Sequence, residues 1–280
     1  SEFRKYPRQG VLAGLPDDGL MYEMGRQIAR DMRSMKIDVN FAPVVDVNLH
    51  PDVNTIKDRS FGPDKNLVAD YGSAVMRGMQ DGGVVACAKH FPGHGDTEVD
   101  SHKALPVLKF PKERLDSVEL YPFRRLIKDG VEMVMVGHLL VPVLDTLPAS
   151  VSKVVVTDLL RKKMKFRGLI ITDALGMEGV LEPFGGSGAK ATLAAYKAGV
   201  DILLMPDNVS ESIDLIVDYI GDDRRKLKDL DARVSRVLAL KGKCGKLTGR
   251  DDLSVDPAAV DTKGTDALIT TIEETLAAGR

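Results

Sequence analysis

The sequence VVACAKHFPGHGDTEVDSH occupies positions 84–102 and indicates both the kind of fold and the place of its polar groups. Its apolar beginning, 84–88, predicts a short buried strand. Polar side chains then follow in close succession, and three of the five histidines of the chain fall within positions 90–102. Pro92, Gly93 and Gly95 predict that this polar part is a shaped loop. A strand that opens into a dense polar loop is typical of α/β enzymes, which display catalytic groups at the carboxyl end of the sheet.

The composition is that of an ordinary soluble globular protein, with 44% hydrophobic and 29% charged residues among 280. Lys and Arg (39) nearly balance Asp and Glu (41), so nucleic acid and acidic membrane surfaces are not expected as partners. No apolar run approaches the ~18 residues of a membrane span, and no signal-peptide pattern is present. The two cysteines exclude a disulfide scaffold, and Cys87 is expected in the core. The cellular compartment stays open.

Strands and helices alternate along the chain at intervals of roughly 35 to 45 residues, which predicts a parallel sheet with right-handed crossovers. Five strands fit a doubly wound sheet directly, whereas the chain length suits a (β/α)8 barrel. The predicted strands are 37–47, 84–88, 133–141, 168–173 and 201–206. The predicted helices are 17–36, 66–80, 111–129, 157–165, 189–198, 210–220, 227–241 and 265–278.

Polar clusters end four successive predicted strands. In a parallel α/β fold these strand ends lie on one face, so residues distant in sequence converge there. The clusters are Asp46 with Arg59, Lys89 and His90 with Asp100 and His102, His138, and Asp173.

Two of these clusters indicate acid–base or nucleophilic chemistry. Asp173 follows an apolar strand; a lone Asp there most often caps the next helix, and the alternative is a rigidly held nucleophile. Asp100 stands two residues before His102, close enough on a tight loop to bond one ring nitrogen. Such a bond leaves the other ring nitrogen to exchange a proton with a substrate.

A metal site is the alternative for the same loop. Its nitrogen and oxygen groups would suit zinc, but no HExxH pattern is present and the spacing matches no metal motif. The glycines on either side of His94 indicate a ring that is buried as a pin for the loop. We therefore expect no metal. The candidate ligands would be His90, His94, Asp96, Asp100 and His102.

The loop sequence KHFPGHG (89–95), continued to DSH (100–102), resembles the signature of family 3 glycoside hydrolases of the bacterial β-N-acetylglucosaminidase type. The Asp-Ser-His portion is characteristic of the N-acetylglucosaminidases within that family. The resemblance covers about 7–240. It includes FAPVVDV (41–47), DRSF (58–61), the segment ending in His138, and ITDALGM (171–177).

The resemblance implies a retaining exo-acting enzyme that hydrolyses terminal β-linked N-acetylglucosamine through a glycosyl-enzyme intermediate, with no cofactor. Asp173 would be the nucleophile, and His102, oriented by Asp100, would be the acid/base. A histidine has an ordinary pKa of ~6.5 and is neutral once deprotonated, so phosphorolysis in place of hydrolysis also stays open. The residues implied to hold the sugar are Arg59, Lys89 and His90, with Met177 lining the pocket.

The family fold is a (β/α)8 barrel of the TIM type, and the five strands predicted here would correspond to its strands four to eight. The chain would then lack the first three strands, with a catalytic domain at 1–245 and a tail with one helix at 246–280. Two alternatives to the enzyme are a non-catalytic sugar-binding or inactive truncated fragment, and a metal-dependent hydrolase. The oligomeric state is not indicated.

Overall fold

The computed structural model describes residues 4–50, 56–95, 105–245 and 260–279. Within these residues, four parallel strands form one sheet whose spatial order is the chain order. A doubly wound sheet reverses its strand order at a switch point, whereas a barrel wall advances in one direction. The sheet is therefore part of a TIM-type barrel, as predicted. The strands are β1 (Val39–Asn40), β2 (Val85–Phe91), β3 (Met133–Val136) and β4 (Leu169–Thr172).

Helices connect the strands and continue beyond β4, and every predicted helix overlaps a helical segment of the structure. The predicted helix 157–165 is a π-helix, Val154–Lys163, and a second π-helical segment, Leu115–Glu119, lies inside the predicted helix 111–129. Short 3₁₀ turns occupy Lys57–Arg59, Ala149–Val151 and Glu182–Phe184. The α-helices in the described residues are α1 (Gln9–Leu12), α2 (Gly19–Ser34), α3 (Lys65–Asp81), α4 (Lys112–Arg114), α5 (Leu120–Lys128), α6 (Glu178–Leu181), α7 (Gly188–Ala198), α8 (Val209–Ile220), α9 (Arg224–Lys243) and α10 (Thr262–Ala278).

The first strand is shorter than predicted, because regular pairing covers two residues of the expected 37–47. Pro43 has no N–H to donate and interrupts the ladder. The segment nevertheless continues alongside β2. The Cys87 N–H donates to the Ala42 carbonyl at 2.8 Å, and the Val45 N–H donates to the Lys89 carbonyl at 2.8 Å.

The fifth predicted strand, 201–206, is reduced to a single bridge between Ile171 and Ile202. The hydroxyl of Thr172 accepts the Leu204 N–H at 3.0 Å, in the place of a backbone carbonyl. Pro206 then lacks an N–H for a further bond. The segment lies along the edge of β4 without becoming a regular strand.

Both faces of the sheet are apolar, as expected for parallel strands covered on two sides. One face packs into the main core together with the helices, and the other forms a smaller cluster against α9. The predicted burial of Cys87 is confirmed, and no helix in the described ranges is long and apolar enough to cross a membrane. The main core takes Ala86, Ala88, Val134, Val136 and Ile170 from the sheet; the smaller cluster takes Val85, Cys87, Met133, Met135, Leu169 and Ile171.

Helix α10 packs on α2 near the start of the barrel segment. The Gln27 amide donates to the Thr265 hydroxyl at 3.1 Å, and that hydroxyl donates to Asp31 at 2.9 Å. Ile272 is fully buried in the main core. The predicted helix at 265–278 is confirmed, and it begins at Thr262. The division into domains at residue 245 stays a prediction.

At the amino ends of the strands, a buried ion-pair cluster joins β4 to α9. The Asp201 carboxylate is fully buried, and it accepts bonds from Arg161 at 2.6 Å and from Arg236 at 2.7 Å. It also accepts the Ile170 N–H of β4 at 2.8 Å. Two guanidinium groups bind this one carboxylate. Its charge therefore holds the amino end of β4 to the helical segments that carry Arg161 and Arg236.

We expect Asp201→Asn to lower the free energy of unfolding by about 3 kcal/mol, because it removes a fully buried charge and leaves two partly buried guanidinium groups without their countercharge. Urea denaturation followed by circular dichroism measures the change. Asp158→Asn is the matched control, since Asp158 pairs with Lys153 and Lys162 on the surface and should matter little. Equal losses in the two variants would contradict the prediction.

Candidate active site

Three of the predicted polar residues that the structure describes lie at the carboxyl ends of the strands. His90 lies near the end of β2, His138 follows β3 by two residues, and Asp173 directly follows β4. The Asp173 N–H donates to the Val136 carbonyl at 2.9 Å, so its backbone is fixed to the neighbouring strand. Parallel pairing of the three strands thus brings these residues to the same end of the sheet.

Lys89 and His90 belong to β2 itself, and the expectation that they begin the loop is wrong. The strand continues to Phe91, since the Lys89 N–H donates to the Pro43 carbonyl and Phe91 pairs with Val136. The Lys89–His90 peptide bond is cis. The two polar side chains are therefore carried by the sheet, which is a more rigid support than a loop.

The carboxylate of Asp46 is completely buried near the carboxyl end of β2. Its Oδ1 accepts the backbone N–H of His90 at 3.1 Å and that of His94 at 2.7 Å, and its Oδ2 lies 2.7 Å from His90 Nδ1. Burial alone would raise the pKa of Asp46, but the histidines and the backbone bonds outweigh it and lower the pKa. The group is therefore an ionised carboxylate inside the protein.

The glycines after Phe91 allow the chain to fold tightly over Asp46. A Cβ on Gly95 would lie 1.9 Å from the Val47 carbonyl oxygen, so the backbone leaves no room for a side chain there. Gly93 has a φ of +127°, and a Cβ on it would lie 2.8 Å from Glu119 Cβ. The spacing of glycines in 92–95 therefore follows from contact with two neighbouring elements.

His94 is buried, as the sequence predicted, and its ring meets that of His90 edge to face at 5.8 Å between centroids. Burial lowers the pKa of His94, while the charge of Asp46 opposes that shift. The ring thus acts as a pin within the loop.

His138 supports the connection that carries Asp173. Its Nε2 lies 2.9 Å from the Ala174 carbonyl oxygen, and its Nδ1 lies 2.7 Å from the hydroxyl of Ser150. A carbonyl oxygen can only accept a hydrogen bond, so Nε2 carries a proton. In a neutral ring, Nδ1 then accepts a hydrogen bond from the Ser150 hydroxyl. The ring therefore fixes the backbone one residue beyond Asp173.

The Asp173 side chain is half-buried, and its Oδ1 accepts the Ala174 N–H at 2.8 Å. Burial favours the neutral acid, but His90, His138, the Ala174 N–H and Lys89 together lower the pKa of Asp173. Asp173 is accordingly ionised at neutral pH. Its ordinary alternative, a cap for the next helix, does not apply, since α6 begins at Glu178 after Met177.

Three further predicted residues surround Asp173 to different degrees. Burial, and secondarily the charge of Arg59, lowers the pKa of Lys89, so these two cations lie within electrostatic reach of each other. Arg59 is exposed at the end of its 3₁₀ turn. Met177 is buried four residues after Asp173. The structure thus groups Asp173 with Lys89 and His90, and leaves Arg59 at the rim.

The predicted acid/base, His102, and its partner Asp100 lie outside the described residues. So does Asp96, another of the candidate metal ligands. In the part of the chain that the structure describes, no group of three or more His, Cys, Asp or Glu side chains could hold a metal ion. His90 and His94 are the two candidates to which this finding applies.

The sequence reasoning did not assign a role to Asp46 or Ser150. The signal for Asp46 was present, since a single carboxylate stands within the apolar run 43–47, PVVDV. A charge in such a run must be paired when the run is buried. No comparable signal marks Ser150, because its partner lies 12 positions away in an irregular connection.

Comparisons with known proteins identify the family of the chain. Residues 2–240 match the model of the glycosyl hydrolase family 3 N terminal domain. A beta-hexosaminidase A of Pseudoalteromonas piscicida is 33% identical over 260 residues, which are 85% of this chain and 42% of that protein. A beta-hexosaminidase of Neisseria gonorrhoeae is 35% identical over 219 residues, which cover 75% of this chain and 60% of that protein.

Among solved structures, a family 3 beta-N-acetylglucosaminidase from Paenibacillus sp. str. FPU-7 superposes with a TM-score of 0.89 and 35% sequence identity. The match covers 98% of this chain and 52% of that one. The chain thus spans about half the length of this relative. On the family match and the shared fold, the chain belongs to glycosyl hydrolase family 3.

Proposed function

We propose that this chain carries the sugar-cleaving site of a retaining exo-β-N-acetylglucosaminidase. The observation that carries the proposal is the ionised, half-buried carboxylate of Asp173 at the end of β4, beside His90 and Lys89. The relatives described above bear the names beta-hexosaminidase and beta-N-acetylglucosaminidase. The substrate would be an oligosaccharide with a terminal β-linked N-acetylglucosamine.

In the proposed mechanism, Asp173 attacks the anomeric carbon and forms a covalent glycosyl-enzyme intermediate. A nucleophile must be ionised before substrate arrives, and the lowered pKa of Asp173 meets this requirement. The bond between Asp173 Oδ1 and the Ala174 N–H leaves Oδ2 as the oxygen that attacks. Attachment of the Asp173 backbone to β3 keeps the carboxylate in position during the reaction.

His102 is proposed to protonate the oxygen of the leaving group and then to take a proton from the incoming water. Asp100, two residues earlier, would bond one ring nitrogen and orient the ring. Both assignments rest on the sequence Asp-Ser-His and on the family resemblance. An imidazole suits this exchange near neutral pH, because its ordinary pKa of ~6.5 lets it act as an acid and as a base.

The remaining groups are proposed to hold the sugar. Lys89 and His90 project from a strand, so their positions are suited to hydroxyl groups of a ring held over Asp173. Arg59, which is exposed at the rim, would bind the acetamido group or an adjacent hydroxyl. Met177 would supply an apolar contact beside the nucleophile. No cofactor is part of this proposal.

We expect Asp173→Asn to lower kcat for an aryl N-acetylglucosaminide by about 10³-fold or more, because the amide cannot attack the anomeric carbon. Release of the aryl group measures turnover, and circular dichroism checks that the fold is kept. Mass spectrometry of wild-type protein with a slow fluorinated substrate should find one sugar residue attached to the peptide that contains Asp173.

Glu178→Gln is the matched control, since Glu178 is an exposed carboxylate on the same connection. Its activity should equal that of the wild type. Full activity in Asp173→Asn would remove Asp173 from the mechanism. Binding of N-acetylglucosamine without any turnover would favour the sugar-binding alternative, and inactivation by a chelator would favour the metal-dependent hydrolase. Formation of a sugar 1-phosphate in phosphate buffer would identify phosphorolysis.

The pH profile of kcat/KM should be bell-shaped. Activity falls at low pH as Asp173 gains a proton, and this limb lies below the ordinary Asp value of about 3.9 because its pKa is lowered. Activity falls at high pH as His102 loses the proton that the leaving group needs, above the ordinary histidine value of ~6.5 because the proposed bond to Asp100 favours the charged ring.

His102→Gln, assayed with a dinitrophenyl leaving group that needs no protonation, isolates the basic limb. We expect this limb to disappear in the variant while the acidic limb is kept. A basic limb that is unchanged in His102→Gln would assign it to another group, such as Lys89.

A further inference from the structure

The bonds to Asp46 determine which nitrogen of the His90 ring carries a proton. Asp46 is fully buried and ionised, so both of its oxygens can only accept hydrogen bonds. Oδ2 lies 2.7 Å from His90 Nδ1, and this nitrogen must therefore be the donor. In a neutral ring with Nδ1 protonated, Nε2 is an acceptor.

The two oxygens of Asp46 have separate tasks. Oδ1 accepts the two backbone N–H groups, from His90 and from His94, whereas Oδ2 receives the ring alone. One oxygen thus fixes the backbone at the end of β2 and at the start of the loop. The other oxygen fixes the orientation and the tautomer of the imidazole.

We propose that Asp46 is a positioning residue that holds His90 as the Nδ1–H tautomer and aims its Nε2 at a sugar hydroxyl in the site beside Asp173. The inference rests on the proposed function for the identity of the ligand. Nε2 accepts a hydrogen bond from the hydroxyl group when the ring is neutral, and it donates one to the hydroxyl oxygen when the ring is charged. Asp46 itself touches neither the sugar nor the reacting atoms.

The arrangement of the bonds supplies a variant that separates the two tasks. In Asp46→Asn, the amide oxygen takes the place of Oδ1 and still accepts both backbone N–H groups. The amide nitrogen takes the place of Oδ2 and donates to His90 Nδ1. A neutral ring must then carry its proton on Nε2, which turns the sugar-facing nitrogen from an acceptor into a donor.

The experiment records long-range ¹H–¹⁵N correlation spectra of histidine-labelled protein at about pH 8, above the ordinary histidine pKa. His90→Gln assigns the signals. We expect a protonated Nδ1 on His90 in the wild type and an unprotonated Nδ1 in Asp46→Asn. An unprotonated Nδ1 in the wild type, or a tautomer that is the same in both proteins, would overturn the inference. The wild-type spectrum decides this even if the variant does not fold.

Calorimetric titration with N-acetylglucosamine tests the consequence for binding. We expect the Kd to rise about 10- to 100-fold in Asp46→Asn, the size of one misdirected hydrogen bond in a buried site. Asp201→Asn is the matched control, because it also changes a fully buried carboxylate that accepts a backbone N–H. Its tautomer spectrum and its Kd should equal those of the wild type.

The outcomes distinguish this inference from the proposed function. Equal Kd values for wild type and Asp46→Asn would overturn the inference while the proposed function stands. Absence of sugar binding and of turnover in the wild type would overturn the proposed function and the sugar-aiming role of Asp46, and the spectra would still decide whether Asp46 sets the tautomer. A loss of binding in Asp201→Asn as large as in Asp46→Asn would reduce the role of Asp46 to general stability.

Discussion

A single buried carboxylate, that of Asp46, joins β2 and the loop after it to the segment that follows β1. It follows the first strand, bonds the backbone at the end of β2, and bonds the loop at His94. A buried charge is costly unless it is paired and hydrogen-bonded, so these contacts form or fail together. Gly95, pressed against the Val47 carbonyl, allows the loop to come close enough for them. The geometry at His90 therefore depends on a group that lies beneath the site.

The three described histidines near the site are buried alike but have different partners, and this sets their different tasks. His90 contacts an ionised carboxylate, and His138 is held by a hydroxyl and a carbonyl. The pKa of His94 is lowered because the ring is buried. His90 and His138, with Lys89 and the Ala174 N–H, create an environment around Asp173 that stabilises its charge. That environment outweighs the cost of burial and keeps the nucleophile candidate charged. Such a fixed arrangement of charge is what a site needs before substrate binds.

The sequence predicted the features that depend on local pattern. Helices with a regular apolar stripe, such as α2, and apolar strands such as β4 lie where periodicity indicates them. The strand ends that depend on specific bonds were not predictable in the same way. Lys89 and His90 look like loop residues because they are polar, yet the ladder to residues 43–45 keeps them in β2.

The same limit applies to the edge beyond β4 and to the site itself. The apolar run 201–206 has the composition of a strand, but a threonine hydroxyl replaces a ladder bond there. Asp173 could be proposed from its position after a strand and from the family resemblance. Two contacts that support the site are long-range: the one between His138 and the Ala174 carbonyl spans 36 positions, and the one between Asp46 and His90 spans 44. Contacts over such separations are set by the tertiary fold rather than by any local pattern.

Two fully buried carboxylates in the described part of the chain, Asp46 and Asp201, stabilise the two ends of one sheet in the same way. Each accepts a backbone N–H from a strand and a side-chain cation or ring from another element. At the amino ends, the partners of Asp201 are arginines, which stay charged at any physiological pH. At the carboxyl ends, the partner of Asp46 is an imidazole, whose outer nitrogen can exchange a proton. The arginines keep the ion pairs of Asp201 charged at all times, whereas the imidazole bound to Asp46 can respond to a ligand. The two clusters lie at opposite ends of the strands. Substitutions near Asp46 that alter the site therefore need not weaken the ion pairs of Asp201.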